Sequence, residues 1–142
     1  MRALLDVNVL IALLDIDHVH HVAATQWLAG NIGHGWASCP LTQNGCIRIM
    51  SQSGYPNPLA AAVVAARLVE AAGTPHHRFW PDSVSLLASD TVAWEAILGS
   101  RQVSDVYLLA LAVRNEGRLV TFDRGIALHA VRGAEPRHLV RL

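Results

Sequence analysis

The sequence predicts an α/β fold: one domain, residues 1–142, built on a mostly parallel central sheet with helices over both faces. Three observations carry that expectation. Short apolar runs alternate along the chain with segments of helical periodicity, the order that yields parallel strands joined by helical crossovers. Hydrophobic residues make up 52% of the chain and charged residues 15%, so a core can be buried. A length of 142 residues suits a single core, and no repeat, linker or low-complexity tail divides it.

Arg2 to Asp6 is an apolar run ending in an acid and reads as a buried strand; Asn8 to Leu14 follows as one or two helical turns. His20 to Gly30 reads as an amphipathic helix, with Val22, Ala23, Trp27 and Leu28 near one face and Gly30 as its stop. Gly35 to Ser38 is a second short strand. Thr42 to Met50 is helical, with Thr42 as its cap and Ile47 and Met50 inward. Asn57 to Gly73 carries helix punctuation: Asn57 to cap, Pro58 at the first position, Gly73 just past the end. His77 to Trp80 reads as a strand stopped by Pro81, with His76 and His77 at a sheet edge, and Ser89 to Leu98 reads as a helix. Ser104 to Glu116 is the clearest helix, capped by Ser104, striped by Val106, Leu109, Ala110 and Val113, and ended by Gly117. Arg118 to Phe122 is a buried strand that again ends in an acid, Asp123, and His138 to Leu142 is a closing strand.

Acids and bases balance at 11 each, so no global basic field attracts nucleic acid; contact would need a local patch or a metal ion. Every base other than histidine is arginine. Without lysine there is no P-loop, and a phospho-accepting receiver domain would lack the lysine its acids require. A phosphatase of the haloacid dehalogenase type wants D-x-D after the first strand, where this chain reads Asp6-Val7-Asn8. Cys39 and Cys46 are too far apart for a C-x-x-C pair and read as reduced, buried thiols of a cytoplasmic protein. The run Met1 to Leu14 is broken by Asp6 and Asn8, and the alanine-rich run from Leu59 by Arg67 and Glu70; neither suits a signal peptide or a membrane span.

In an α/β sheet, ligands bind at the carboxyl ends of the strands. Asp6 ends the first strand and Asp123 the strand at Leu119 to Phe122, while Asp105 sits in the first turn of a helix that should begin at the same edge. Each acid has an ordinary explanation. Asp105 suits a helix dipole, and Asp123-Arg124-Gly125 could be a simple turn. Asp6 is harder to dismiss, because it lies between Ala3-Leu4-Leu5 and Val9-Leu10-Ile11, and a buried carboxylate is costly unless paired or metal-bound. Carboxylates gathered together repel, which raises their pKa values and favours a cation. Hard oxygen ligands select Mg²⁺ or Mn²⁺, and such an ion suits phosphodiester chemistry.

The ordered fragments Leu5-Asp6-Val7-Asn8-Val9-Leu10, His21 to Trp27, Pro40-Leu41-Thr42-Gln43-Asn44-Gly45, Phe79-Trp80, Ser104 to Ala112 and Leu119 to Asp123 span essentially the whole chain. As a set they resemble the PIN-domain ribonucleases of the VapC toxin type. The resemblance implies a PIN-like three-layer fold, Mg²⁺-dependent cleavage of RNA (with Mn²⁺ as a possible substitute), a cognate antitoxin of a type II toxin–antitoxin system, and a homodimer. Residue by residue it implies that Asp6, Asp105 and Asp123 are site acids, with Asp6 and Asp105 as metal ligands, and that Asn8 is a polar position beside the first acid. One position departs from the family: Gln43 stands where a glutamate is usual. It is expected to point from the first turn of its helix toward Asp6 and Asp105, offering an amide oxygen but no charge. The alternative is therefore a weak or inactive PIN-fold module that binds RNA or antitoxin without cutting.

Other candidates weigh less. His18, His20 and His21 cluster at a helix start, where a capping and surface role outweighs RNA contact or acid–base help. Arg48, Arg101 and Arg124 lie near the site acids in sequence and could grip phosphate, as any solvated arginine could. Trp27, Trp36, Trp80 and Trp94 read as core. The helix after Pro58 is apolar nearly all round, so its surface from Leu59 to Val69 is expected to meet a subunit or an antitoxin.

Overall fold

The computed structural model describes residues Met1–Leu142. Five short strands, β1 (Ala3–Leu5), β2 (Trp36–Ser38), β3 (His77–Phe79), β4 (Arg118–Thr121) and β5 (Leu139–Arg141), form one sheet in the order β3-β2-β1-β4-β5. Every pairing is parallel: Ala3 registers with Trp36 and with Arg118, Ala37 with Arg78, and Val120 with Val140. The chain runs outward from β1 to β3, then crosses back to β4 on the other side of β1. The strand order therefore reverses between β1 and β4, and a crevice opens at their carboxyl ends.

The alternation of side chains across the sheet divides the core in two. Ala3, Leu5, Trp36 and Val120 face α1 (Val7–Leu14), α2 (His21–Asn31), α3 (Pro40–Met50) and α4 (Ala61–Ala72), where Val9, Leu10, Ala24, Cys46, Met50 and Val64 complete one buried cluster. Leu4, Ala37, Leu119 and Leu139 face α5 (Gln102–Arg114), whose Val106, Leu108, Leu109 and Leu111 build the other cluster with Trp80, Val92 and Val131. The expected α/β architecture, a parallel sheet between two helical layers, is what forms. Burial of aliphatic side chains at about 1.5–3 kcal/mol each is its main driving force. Cys39 and Cys46 are buried and free.

Several local expectations fail for physical reasons. The fourth helix starts at Ala61, with Ala60 at the cap position, not at Asn57. Asn57 takes a left-handed φ of 54°, and the Leu59 amide bonds to the Met50 carbonyl at 3.1 Å, which holds 57–60 off the helix. Thr42 does not cap α3. Cys39 holds that position, Pro40 begins the helix, and the Thr42 hydroxyl accepts from the Cys39 amide at 3.0 Å. Ser104 lies inside α5, which begins two residues earlier behind Arg101; the Gln102 side chain there accepts from the Leu98 amide at 2.7 Å. Gly30 does not stop α2, which runs to Asn31 and turns inward through Ala24, Trp27 and Leu28, leaving Val22 exposed.

The largest miss is Ser89 to Leu98, which is not a helix. Val92 makes an antiparallel bridge with Val131, the Ala93 amide bonds to the Ala130 carbonyl at 2.9 Å, and only Trp94–Ala96 makes a single 3₁₀ turn. β-branched Thr91 and Val92 suit this extended pairing better than a helix. Trp94 is accordingly half-exposed, whereas Trp36 and Trp80 are buried. No helix is long and apolar enough to cross a membrane.

Candidate active site

At the crevice between β1 and β4 lies a cavity of about 360 Å³ lined by Asp6, Val7, Asn8, Ile11, His18, Ile49, Tyr55, Asp105 and Asp123. Acids separated by about a hundred residues thus meet at one edge. β1 delivers Asp6 at the N-cap of α1, and β4 delivers Asp123 two residues beyond its end. The first turn of α5 delivers Asp105.

Asp6 is the anchored member, only 6% exposed. One carboxylate oxygen accepts the Val7 amide at 2.7 Å and the other the Thr121 hydroxyl at 2.6 Å. The Thr121 oxygen in turn accepts the Asp123 amide at 3.0 Å, so one buried threonine ties the two strand-end acids together. Burial pushes Asp6 above the ordinary carboxylate range. The Thr121 and Val7 hydrogen bonds pull it back, and the negative charge of Asp123 raises it further. Asp123 is more exposed; its Oδ1 accepts the Gly125 amide at 2.6 Å, so the expected Asp123-Arg124-Gly125 turn is also present. Asp105 is the most perturbed acid. Burial first, then the charges of Asp6 and Asp123 and contact with the Asp123 carboxyl, push it up to about 7.

This donor set fits a hard divalent cation. The charged groups lining the cavity are carboxylates, and the buried Asn8 Oδ1 has no hydrogen-bond partner, leaving an acceptor aimed at nothing in the protein. The acids gather without closing into a preformed shell of three ligands.

Gln43 is placed differently from the other expected site residues. It does sit in the first turn of α3, but its Nε2 donates to Ser38 Oγ at 2.9 Å, and it does not line the carboxylate cavity. Ser38 Oγ also lies 2.9 Å from His77 Nε2, so Gln43 ends a polar chain under β2 and β3. Arg48, Arg101 and Arg124 are exposed and none lines the cavity. Thr121 and Tyr55 are the site residues that motif reading missed, while His18, expected mainly as a capping and surface residue, lines the cavity. Thr121 had a signal: a lone hydroxyl directly after the apolar pair Leu119-Val120, two residues before the acid.

Comparison with known proteins places the chain in a family. The PIN domain family model matches residues 3–132. The chain is similar to Ribonuclease VapC44 of Mycobacterium tuberculosis, 52% identical over 142 residues and covering 100% of both chains. It is also similar to Ribonuclease VapC39 of the same organism, 43% identical over 134 residues, 94% of this chain and 96% of that one. Ribonuclease VapC29 is 42% identical over 127 residues, 89% of this chain and 90% of the other.

Proposed function

The chain belongs to the PIN-domain family, and from that premise we propose that it is a metal-dependent endoribonuclease, the toxin of a toxin–antitoxin pair, cutting RNA phosphodiesters at the β1/β4 crevice. The observation that carries this reading is the convergence of Asp6, Asp105 and Asp123 on one cavity. The relatives, named as ribonucleases, support it.

Asp6 and Asp105 would hold Mg²⁺ or Mn²⁺, with Asp123 and Asn8 beside them. Such an ion would supply charge neutralisation and a more acidic bound water. The protein's own part is preorganisation. Thr121 and the Val7 amide fix the Asp6 carboxylate in one orientation before any ligand arrives. Burial and the neighbouring charges of Asp6 and Asp123 push Asp105 up to about 7 in the metal-free site, so taking up the ion would release its proton and relieve the crowding. Val7, Ile11 and Ile49 supply an apolar wall that strengthens these charges.

A cognate antitoxin and a homodimer follow from the family resemblance. The exposed side of α4, with Val63 and Val69 open to solvent, supports an apolar contact there. Buried free thiols favour the cytoplasm. The test is RNA cleavage by the purified chain with Mg²⁺, with Mn²⁺ and with chelator. Cleavage only with metal, lost in Asp6→Asn, supports the reading. Tight RNA or antitoxin binding with no cleavage under any metal would favour the non-cutting module that Gln43 suggests.

A further inference from the structure

One wall of the carboxylate cavity is neither acidic nor aliphatic. His18 lines it, in the turn between α1 and α2, and two residues on His20 lays its ring against Phe122. The rings are stacked, with centroids 4.4 Å apart and an interplanar angle of 20°. Phe122 is packed against the core cluster behind α1–α4 and stands immediately before Asp123, so this platform is firmly seated and adjoins the site acids. His20 is exposed, with one ring face on Phe122, next to the His18 that lines the cavity.

His18 contributes a directed donor. Its Nδ1 accepts the His20 amide at 3.0 Å, which assigns the ring proton to Nε2 and fixes the shape of the turn. Nothing in the protein accepts from that Nε2. The other neutral donors lining the cavity are engaged: the Tyr55 hydroxyl donates to Asp15, and Asn8 Nδ2 reaches Thr121 Oγ1, though at a long 3.5 Å. A wall otherwise rich in acceptors thus carries the unengaged His18 Nε2–H beside the exposed His20 ring, the two rings tilted at 43° with centroids 5.7 Å apart. That pairing matches an unpaired nucleotide, whose base offers a π face and whose phosphate offers acceptor oxygens.

We propose that His18, His20 and Phe122 form a nucleotide subsite flanking the carboxylate cavity: a base of single-stranded RNA stacks on His20, and His18 Nε2–H donates to a neighbouring phosphate oxygen. The proposal rests on the ribonuclease reading and narrows its substrate to RNA with an unpaired nucleotide at the cut region. It also revises the surface role first expected for these histidines.

The test uses the full chain in chelator, where no metal-dependent cleavage occurs, and an oligoribonucleotide carrying 2-aminopurine. Stacking is expected to quench the fluorescence on binding. His20→Ala should weaken binding about tenfold and relieve the quench, whereas His20→Tyr should retain both. His18→Ala should weaken binding as well. Because His20 is exposed, thermal melting confirms that the variants are folded. Equal binding and quenching by wild type and His20→Ala overturns the subsite, and so does absence of any binding by wild type. Metal-dependent cleavage, measured separately, decides the ribonuclease reading, so the two failures are distinct.

Discussion

Asp105 carries the sharpest consequence at the scale of single residues. Its folded-state pKa of about 7 lies above the ordinary 3.8, so between those values the folded chain binds more protons than the unfolded one. Without metal, stability is therefore fully present below about pH 4 for this group and is lost as pH rises toward 7. Melting temperature measured in chelator should fall across that window, Asp105→Asn should flatten the fall, and Mn²⁺ should restore stability at the upper end. A melting temperature independent of pH in both proteins contradicts the crowding. Gln43 yields a second expectation. The Gln43 side chain is held by Ser38 outside the carboxylate cavity, so a charge there acts on the ion only at a distance, while disturbing the Ser38–His77 chain costs about 1 kcal/mol. Gln43→Glu should then melt slightly lower and change Mn²⁺ affinity little. A large gain in affinity would show that position 43 turns into the ion's surroundings when metal binds. The acids were readable as candidates because each closes a strand or opens a helix. The direction of Gln43 was not readable, because its partners Ser38 and His77 come from two other strands.

Among the elements, the packing of α1 against α3 sets the cavity floor. A Cβ at Gly45 would lie 2.7 Å and 3.3 Å from the two methyls of Val7, so rotating the valine exchanges one clash for the other. The gain in helix propensity from Gly45→Ala is at most about 1 kcal/mol, whereas overpacking of this kind costs about 1–3 kcal/mol. Overpacking wins. The variant should unfold at lower urea and, because Val7 adjoins Asp6, should also bind metal less well; equal or greater stability would show that the helices can separate freely. Element identity followed from periodicity wherever the buried stripe was unbroken, as in α5 and β4. It failed where a tertiary contact overrode a local signal. Asn57-Pro58 looks like a helix start, but the Leu59 amide is claimed by Met50, and Val92 looks helical until Val131 pairs with it.

For the molecule as a whole, the parallel sheet was foreseeable from strand and helix alternation, but the strand order was not. That order sets the reversal between β1 and β4 and so brings residues 6 and 123 to one crevice. The unpartnered apolar side of α4 bears on assembly: light scattering at micromolar concentration should give the mass of a dimer, and a strict monomer would contradict it. The central claim is that the strand reversal builds a carboxylate site for a divalent cation. Calorimetric titration of Mn²⁺ into the wild-type chain and into Asp6→Asn and Asp105→Asn tests it most directly. Wild type should bind saturably and each variant should lose at least tenfold in affinity; identical isotherms for all three, or no binding by wild type at millimolar Mn²⁺, would contradict a carboxylate cation site.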